Sequence, residues 1–384
     1  LSSGATVVIS QHYGANKEDK VQWAVHTSIA FSILGGIVLT VVGIGCSRWM
    51  LDLMNTPDDV VNHALIYMRV YFLGTIGNLI YNMGSGILRA VGDSKRPLLY
   101  LIICCMTNIA LDFLFVVGLQ MGVMGAALAT ILSQIISAVL VMGSLMRTRD
   151  IYRLHLRKIS IDWIMLKRII RIGFPAGVQS ILYSVSNVII QSAVNSLGTN
   201  NVAAWAAYGK VDGLFWMMIN ALGIAATTFV GQNYGAKKMD RVNTGILTSS
   251  IIGSVYSVVI LGVMFLWSRQ ISLLFVDASE TVILDQARQM LLINMVFYIP
   301  LTLVNVVRFT VQGMGFSKFA ILAGVCEMIG RSVVAFFLVP YFGYTAVCFA
   351  SPVAWILADL FLVPAYLYCA KTLRSLFEKN AQMM

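Results

Sequence analysis

Ten long apolar runs follow one another along the chain, at 24–46, 64–88, 98–119, 123–146, 169–197, 202–230, 244–266, 287–311, 319–339 and 346–370. Each reaches the ~20 residues that carry an α-helix across a ~30 Å hydrocarbon layer. Lipid offers the backbone no hydrogen bonds, so a run of this kind must close its own and becomes a helix. The alternating ten-residue segments of a membrane barrel do not occur. Composition agrees. Apolar residues make up 58% of the chain and charged residues 11%, against about 45–50% and about 25% in soluble domains. The fold class expected is an all-α polytopic membrane protein.

The net charge of +10 raises nucleic acid as a partner, and the placement of the charges removes it. Of the 27 Lys and Arg, twenty fall in the connections on one side of the helices, from Lys17 and Lys20 through the basic stretch 147–171 to Lys371, Arg374 and Lys379. Only Arg48, Arg69, Arg269 and Arg288 fall on the other, among the acids Asp52, Asp58, Asp59, Asp277, Glu280 and Asp285. Lys and Arg are retained on the cytoplasmic side. The expectation is a multi-pass protein of the cell (inner) membrane, with its C-terminus in the cytoplasm and the lipid bilayer as its surroundings. The six Cys form no C-x-x-C, the four His form no H-E-x-x-H, and no phosphate or dinucleotide loop is present. Neither an enzyme nor a bound cofactor is expected.

The chain repeats itself. Gln11-His12-Tyr13-Gly14-Ala15 recurs 221 residues later as Gln232-Asn233-Tyr234-Gly235-Ala236. With two residues inserted, Gly92-Asp93-Ser94-Lys95 recurs as Gly315-Phe316-Ser317-Lys318. Both copies fall on the same side, so the halves run parallel, related by an axis along the membrane normal. The expected division is a bundle at 1–146, a cytoplasmic linker at 147–166 and a second bundle at 167–384. Leu1 matches Leu222, so about 55 residues of the second half have no counterpart ahead of Leu1. The intact protein is expected to have two parallel six-helix bundles and twelve spans, the first span and part of the second preceding Leu1. The repeated loops read as helix ends at which Gly14 and Gly235 take a left-handed backbone and nearby Lys answers the helix dipole.

Those loops, together with Leu88-Arg89-Ala90-Val91-Gly92-Asp93-Ser94 and Gly173-Phe174-Pro175-Ala176-Gly177, resemble the multidrug and toxic compound extrusion (MATE) family, in its prokaryotic DinF-like branch. The resemblance runs over essentially the whole chain. It implies an antiporter acting as a monomer, which exports small organic, cationic or amphipathic compounds in exchange for Na⁺ or H⁺. Flippases of lipid-linked saccharides or polysaccharides share the fold superfamily and stand as the alternative.

Ionisable residues inside the bilayer each require a reason. Asp112 lies one turn after Asn108, so both face the same way. The next helix carries Ala126 and Thr130, again one turn apart. A carboxylate, an amide oxygen and a hydroxyl suit a small hard cation. In the family it resembles, such an Asn, Asp and Thr, with an Asp on the first helix, form the cation and proton site. Asn108, Asp112 and Thr130 match three of those positions, and Ala126 stands where a backbone carbonyl contributes. The other reading is an Asp hydrogen-bonded into an inter-helix network. In the repeat Asn108 and Asp112 align with Arg331 and Ala335 or with Ile329 and Val333, neither of which restores the acid. Other branches carry a Glu eight residues after the Pro of the seventh helix, where this chain has Tyr183.

Three polar stripes at helical spacing point to a substrate cavity: Gln179, Tyr183, Asn187 and Gln191; Asn294 and Tyr298; Asn78 and Asn82. Polar glue between helices is the competing explanation. Glu327 and Arg331, four apart, are expected to pair with each other, and Arg308 to snorkel toward the interface. Asp212, Lys210 and Asp359 have no partner visible in the sequence.

Overall fold

The computed structural model describes residues 1–54 and 56–382; the side chains at 58, 59 and 376–382 lie outside the description, Asp58, Asp59 and Lys379 of the charge count among them. Among the described residues every regular element is helical. The chain divides into two compact units, Leu1–Ile170 and Arg171–Met384. The first holds α1 (Ser2–Gly14), α2 (Glu18–Leu53), α3 (Asp58–Leu73), α4 (Thr75–Ala90), α5 (Lys95–Asp112), α6 (Gly122–Arg147) and the opening turns of α7 (Trp163–Asn195). The second holds the rest of α7 and α8 (Thr199–Gly235), α9 (Met239–Ser272), α10 (Thr281–Val296), α11 (Tyr298–Gly313), α12 (Ser317–Val333), the short α13 (Val339–Phe342) and α14 (Tyr344–Gln382).

Among the described residues seven helices are long and apolar enough to cross a membrane, and nine spans result when each bent pair counts as one. These nine contain nine of the ten expected runs. The remaining run, 169–197, lies in α7, a 33-residue helix made less apolar by its stripe of Gln179, Asn187 and Gln191. Exposed Leu, Ile, Val and Phe cover the outside of the described helices, the surface that a lipid solvent requires. Inside, small residues let helices touch. A Cβ on Gly223 would stand 2.3 Å from the Phe309 ring, and one on Gly253 would stand 2.3 Å from Thr302 Cγ2.

The internal repeat is structural as well as sequential. α3 meets α4 at a 43° bend, and α10 meets α11 at 53°. A π-helical segment follows α5 at Phe113–Gly118, and another follows α12 at Val334–Leu338. Both lead to a turn on a glycine at φ 56°, Gly122 and Gly343. These landmarks set Asp112 opposite Val333 and Asn108 opposite Ile329, which decides between the two alignments left open by the sequence. Contacts repeat too. Thr6 Oγ1 donates to Gly86 O at 3.1 Å, and Thr227 Oγ1 donates to Phe309 O at 3.2 Å.

The basic segment expected as a linker packs within the first unit. Leu154 N–H donates to Leu145 O at 2.9 Å, and Gln22 of α2 donates to Ile151 O. His26 donates through Nδ1 to Gln22 O at 2.7 Å and accepts the His155 N–H at Nε2 at 3.0 Å. Thr27 Oγ1 accepts the Asp162 N–H at 3.0 Å. Three α2 side chains thus stand in for a backbone partner to a stretch that has no regular neighbour.

The repeated loops are helix ends, but their left-handed residues are not the expected glycines. Gly14 and Gly235 are the last helical residues; Asn16 at φ 52° and Lys237 at φ 58° make the reversal. Asn16 N–H donates to Tyr13 O and Lys17 N–H to His12 O, and the same two bonds recur from Lys237 to Tyr234 and from Lys238 to Asn233. This is the Schellman pattern. The ends of α4 and α11 use it with glycine at the reversal, Gly92 at φ 94° and Gly315 at φ 93°. A Cβ on Gly92 would meet nothing within 4 Å, so alanine there carries only the backbone cost. Gly92→Ala is expected to lower the stability of the detergent-solubilised protein by about 1 kcal/mol, and Lys237→Gly to raise it by about as much. Thermal unfolding followed by tryptophan fluorescence checks both signs.

His12, at the C-terminal end of α1 outside the apolar runs, has Nε2 3.4 Å from Arg168 Nη1. Burial, and then the charges of Arg168, Lys20 and Lys17, push its pKa down from 6.5 to about 4. Below pH 6.5 the unfolded chain takes up a proton that the folded chain refuses until about pH 4, so stability falls with pH across that window. His12→Asn, which copies Asn233 of the second repeat, is expected to flatten this part of the stability–pH curve. A melting series from pH 7 to 4 checks it.

Candidate functional site

Three polar constellations stand out, one in the first unit and two in the second. In the first unit, Asn108 and Asp112 occupy the last turn of α5, and Ala126 and Thr130 lie on α6, which packs against it. The helices are joined by a tight turn in which Met121 N–H donates to Phe115 O at 2.9 Å. Gly125 of α6 sits so close that a Cβ would lie 3.0 Å from Phe115 Cβ. Thr130 Oγ1 donates to Ala126 O at 3.0 Å, so two of the four expected ligands hold one another. Asp112 Oδ1 and Asn108 Nδ2 are buried with no hydrogen-bond partner. The α-to-π transition falls immediately after Asp112, and such bulges concentrate at functional positions.

In the second unit a cavity of about 310 Å³ opens between α7, α8, α12 and α14. Tyr183, Asn187 and Gln191 line it from α7. Trp205, Tyr208, Asp212 and Trp216 line it from α8, Arg331 from α12 and Trp355 from α14. Tyr298 reaches the wall from behind: its hydroxyl donates to Asp212 Oδ1 at 2.5 Å, and its ring meets Trp355 edge-on at 6.1 Å. Arg331 donates to Asn187 Oδ1 at 3.1 Å and lies 4.9 Å above the centre of the Tyr183 ring. Tyr183 also stacks on Trp216, with ring centres 6.5 Å apart.

A third cluster lies elsewhere in the second unit. Arg308 of α11 is buried and ion-paired with Glu327 of α12. The Gln179 amide is placed to accept from Arg308 Nη1 at 2.9 Å and Nε at 3.2 Å, and its other end lies 3.0 Å from Gln312. Asp359 of α14 stands within electrostatic reach of Arg308 and Glu327, and its Oδ1 is buried without a partner.

The family model MatE matches residues 1–114 and 175–337, one stretch in each unit. The chain belongs to the MATE family. It is 30% identical over 353 residues to the probable multidrug resistance protein YoeA of Bacillus subtilis, covering 89% of this chain and 75% of that protein. It is 25% identical to the probable multidrug resistance protein NorM of Thermotoga maritima, covering 89% and 74%. The fold superposes at a TM-score of 0.90 and 24% identity on a multidrug resistance MATE transporter in an outward-facing conformation, covering 97% of this chain and 84% of that one. MATE proteins are transporters, and this chain is a multi-pass membrane transporter rather than an enzyme.

Within this MATE chain several expectations need correction. Glu327 and Arg331 share a helix face but not a bond, because other helices bring each a better partner: Arg308 to the carboxylate, Asn187 and Tyr183 to the guanidinium. Arg308 is therefore locked in place and does not snorkel. Gln179 belongs to the Arg308 cluster and not to the cavity. Asn294 is buried glue, with Nδ2 donating to Met290 O at 2.9 Å and to Cys348 O at 3.2 Å. Asn78 and Asn82 sit on α4 of the first unit, and Asn82 Nδ2 donates to Asn78 Oδ1 at 2.6 Å. Asp212, which has no partner visible in the sequence, lies on the cavity wall with Trp205, Tyr208 and Trp216; their spacing of three, four and four puts the four on one face of α8, and Tyr208 is the one that the sequence reading missed.

The Arg308 cluster yields a stability test. Removing the guanidinium strands the buried Glu327 carboxylate, so Arg308→Met is expected to cost about 3–5 kcal/mol. Adding Glu327→Leu removes the stranded charge and is expected to restore most of the loss. Melting temperatures of the single and double variants check the order.

Proposed function

We propose that this chain is a secondary active antiporter of the inner membrane that exports organic, drug-like compounds in exchange for Na⁺ or H⁺. Its relatives are named multidrug resistance proteins, which supports the class of cargo. The observation that carries the coupling is the uncovered Oδ1 of Asp112, buried on α5 beside Asn108. A carboxylate in the bilayer is stable only when a proton or a cation sits on it. One oxygen cannot hold both, so proton and Na⁺ compete there, and occupancy changes the charge on α5. Asn108, Thr130 and the carbonyl of Ala126 supply the neutral oxygens a small cation favours. The polar residues of α7 (Tyr183, Asn187, Gln191) and, in the first unit, those of α4 (Asn78, Asn82) are available to cargo, which crosses by alternating access with the C-terminus in the cytoplasm.

Asp112→Asn keeps the shape and removes the charge. In proteoliposomes holding equal amounts of full-length parent and variant, Asp112→Asn is expected to abolish efflux of a fluorescent dye under an imposed Na⁺ or pH gradient while still binding it. Asn108→Ala and Thr130→Ala, each losing one neutral ligand, are expected to weaken efflux less. Parental efflux by Asp112→Asn under both gradients would show that coupling lies elsewhere.

A further inference from the structure

The cavity of the second unit contains a charge paired with no carboxylate, although Asp212 on the same wall acts on it through space. Arg331 is 3% exposed, and its Nη1 donates to Asn187 Oδ1 and, at 3.5 Å, to Ser186 Oγ. Its Nε is buried without a hydrogen-bond partner. Among the described residues no carboxylate lies within ion-pair distance of it. The one acid on the cavity wall is turned away: Asp212 Oδ1 takes the Tyr298 hydroxyl at 2.5 Å, and the Tyr208 hydroxyl bonds the same carboxylate. A guanidinium buried among aromatic rings without a counter-ion is costly. It carries five donors in a planar fork, and two neutral oxygens do not exhaust them.

We infer that this cavity binds flat aromatic compounds that carry a carboxylate, with Arg331 as the group that receives it. The inference rests on the proposed export of organic compounds and names the class of cargo. A carboxylate matches the guanidinium fork with two parallel charge-assisted bonds, and the free Nε lies on one edge of that fork. Trp205, Trp216, Trp355 and Tyr183 line the same space and offer planar surfaces on which a ring can stack. The volume of about 310 Å³ is at the small end of ligand pockets, so the fit is to a compact ring system. A bare organic cation is the poorer occupant. It meets the charge of Arg331, and the carboxylate that would attract it is already covered by two phenols.

The test uses a diethylaminocoumarin carboxylate and its methyl ester, which share one ring system and differ in the anionic group. Binding to the purified full-length protein in detergent is followed by coumarin fluorescence polarisation, with empty micelles subtracted. The acid is expected to bind at least about tenfold more tightly than the ester, the size of one charged hydrogen-bonded contact. Arg331→Gln is expected to bring the two affinities to within about twofold without weakening the ester, and the retained ester binding shows that the cavity survives. Asn187→Asp places a carboxylate against Arg331 and is expected to erase the preference by occupying the fork, even if Arg331→Gln fails to fold. Equal or tighter binding of the ester by the parent protein, or an unchanged ratio in either variant, would overturn the assignment. No ion gradient enters the measurement, so a failure of coupling at Asp112 leaves it intact, and its own failure leaves the efflux assay untouched.

Discussion

Lipid gives a polar side chain nothing to bond with, so every charged or amide group within the spans must find its partner inside the protein or bear the cost. That requirement explains most of the polar contacts between the helices. Arg308 is answered by Glu327 and Gln179, and Asp212 by two tyrosines. Such groups are structural because they are satisfied. Groups left over carry more information, since a buried orphan calls for an explanation and completion by a group from outside the chain is one. Asp112 Oδ1 in the first unit and Arg331 Nε in the second are two of these, and they have opposite charge.

The repeat separates scaffold from chemistry. Helix ends recur in detail: the Schellman closures, the φ 56° glycines before α6 and α14, the bent pairs, and the threonine that reaches one carbonyl in each half. Helix centres do not. Val333 stands opposite Asp112, and the basic and acidic residues of α11, α12 and α14 have no matching cluster in the first unit. Helix ends obey backbone geometry, which is common to both halves. Helix centres carry side-chain chemistry, which backbone geometry does not constrain.

Spans, repeat and family were legible because hydrophobic length and loop motifs are one-dimensional properties. Pairing was not. Spacing of four correctly put Glu327 and Arg331 on one face of α12, yet their partners come from α11 and α7, and no spacing rule reports which helix packs where. The same limit sent Gln179 and Asn294 into the expected cavity, since a stripe says that a helix face meets protein or water but not which. The left-handed residue of the repeated loops was misjudged by two positions. Glycine drew attention as the cheap choice, whereas the hydrogen-bond pattern demands the reversal at Asn16 and Lys237 and accepts its cost there.

An exchanging site must also let go. Arg308 and Glu327 hold one another by full charges in a buried setting, an arrangement that resists opening. The α5–α6 constellation is built more loosely. Its hydroxyl is occupied only by Thr130 bonding back to the Ala126 carbonyl within one helix turn, a neutral bond worth about 1 kcal/mol. At the proposed ion site a cation would displace that bond and gain both oxygens, and on leaving would return them to each other. The two neutral ligands therefore cost little to free and little to leave without the cation. Both conditions are needed if one carboxylate is to pass between occupants in every cycle, and a site closed by an arginine would meet neither.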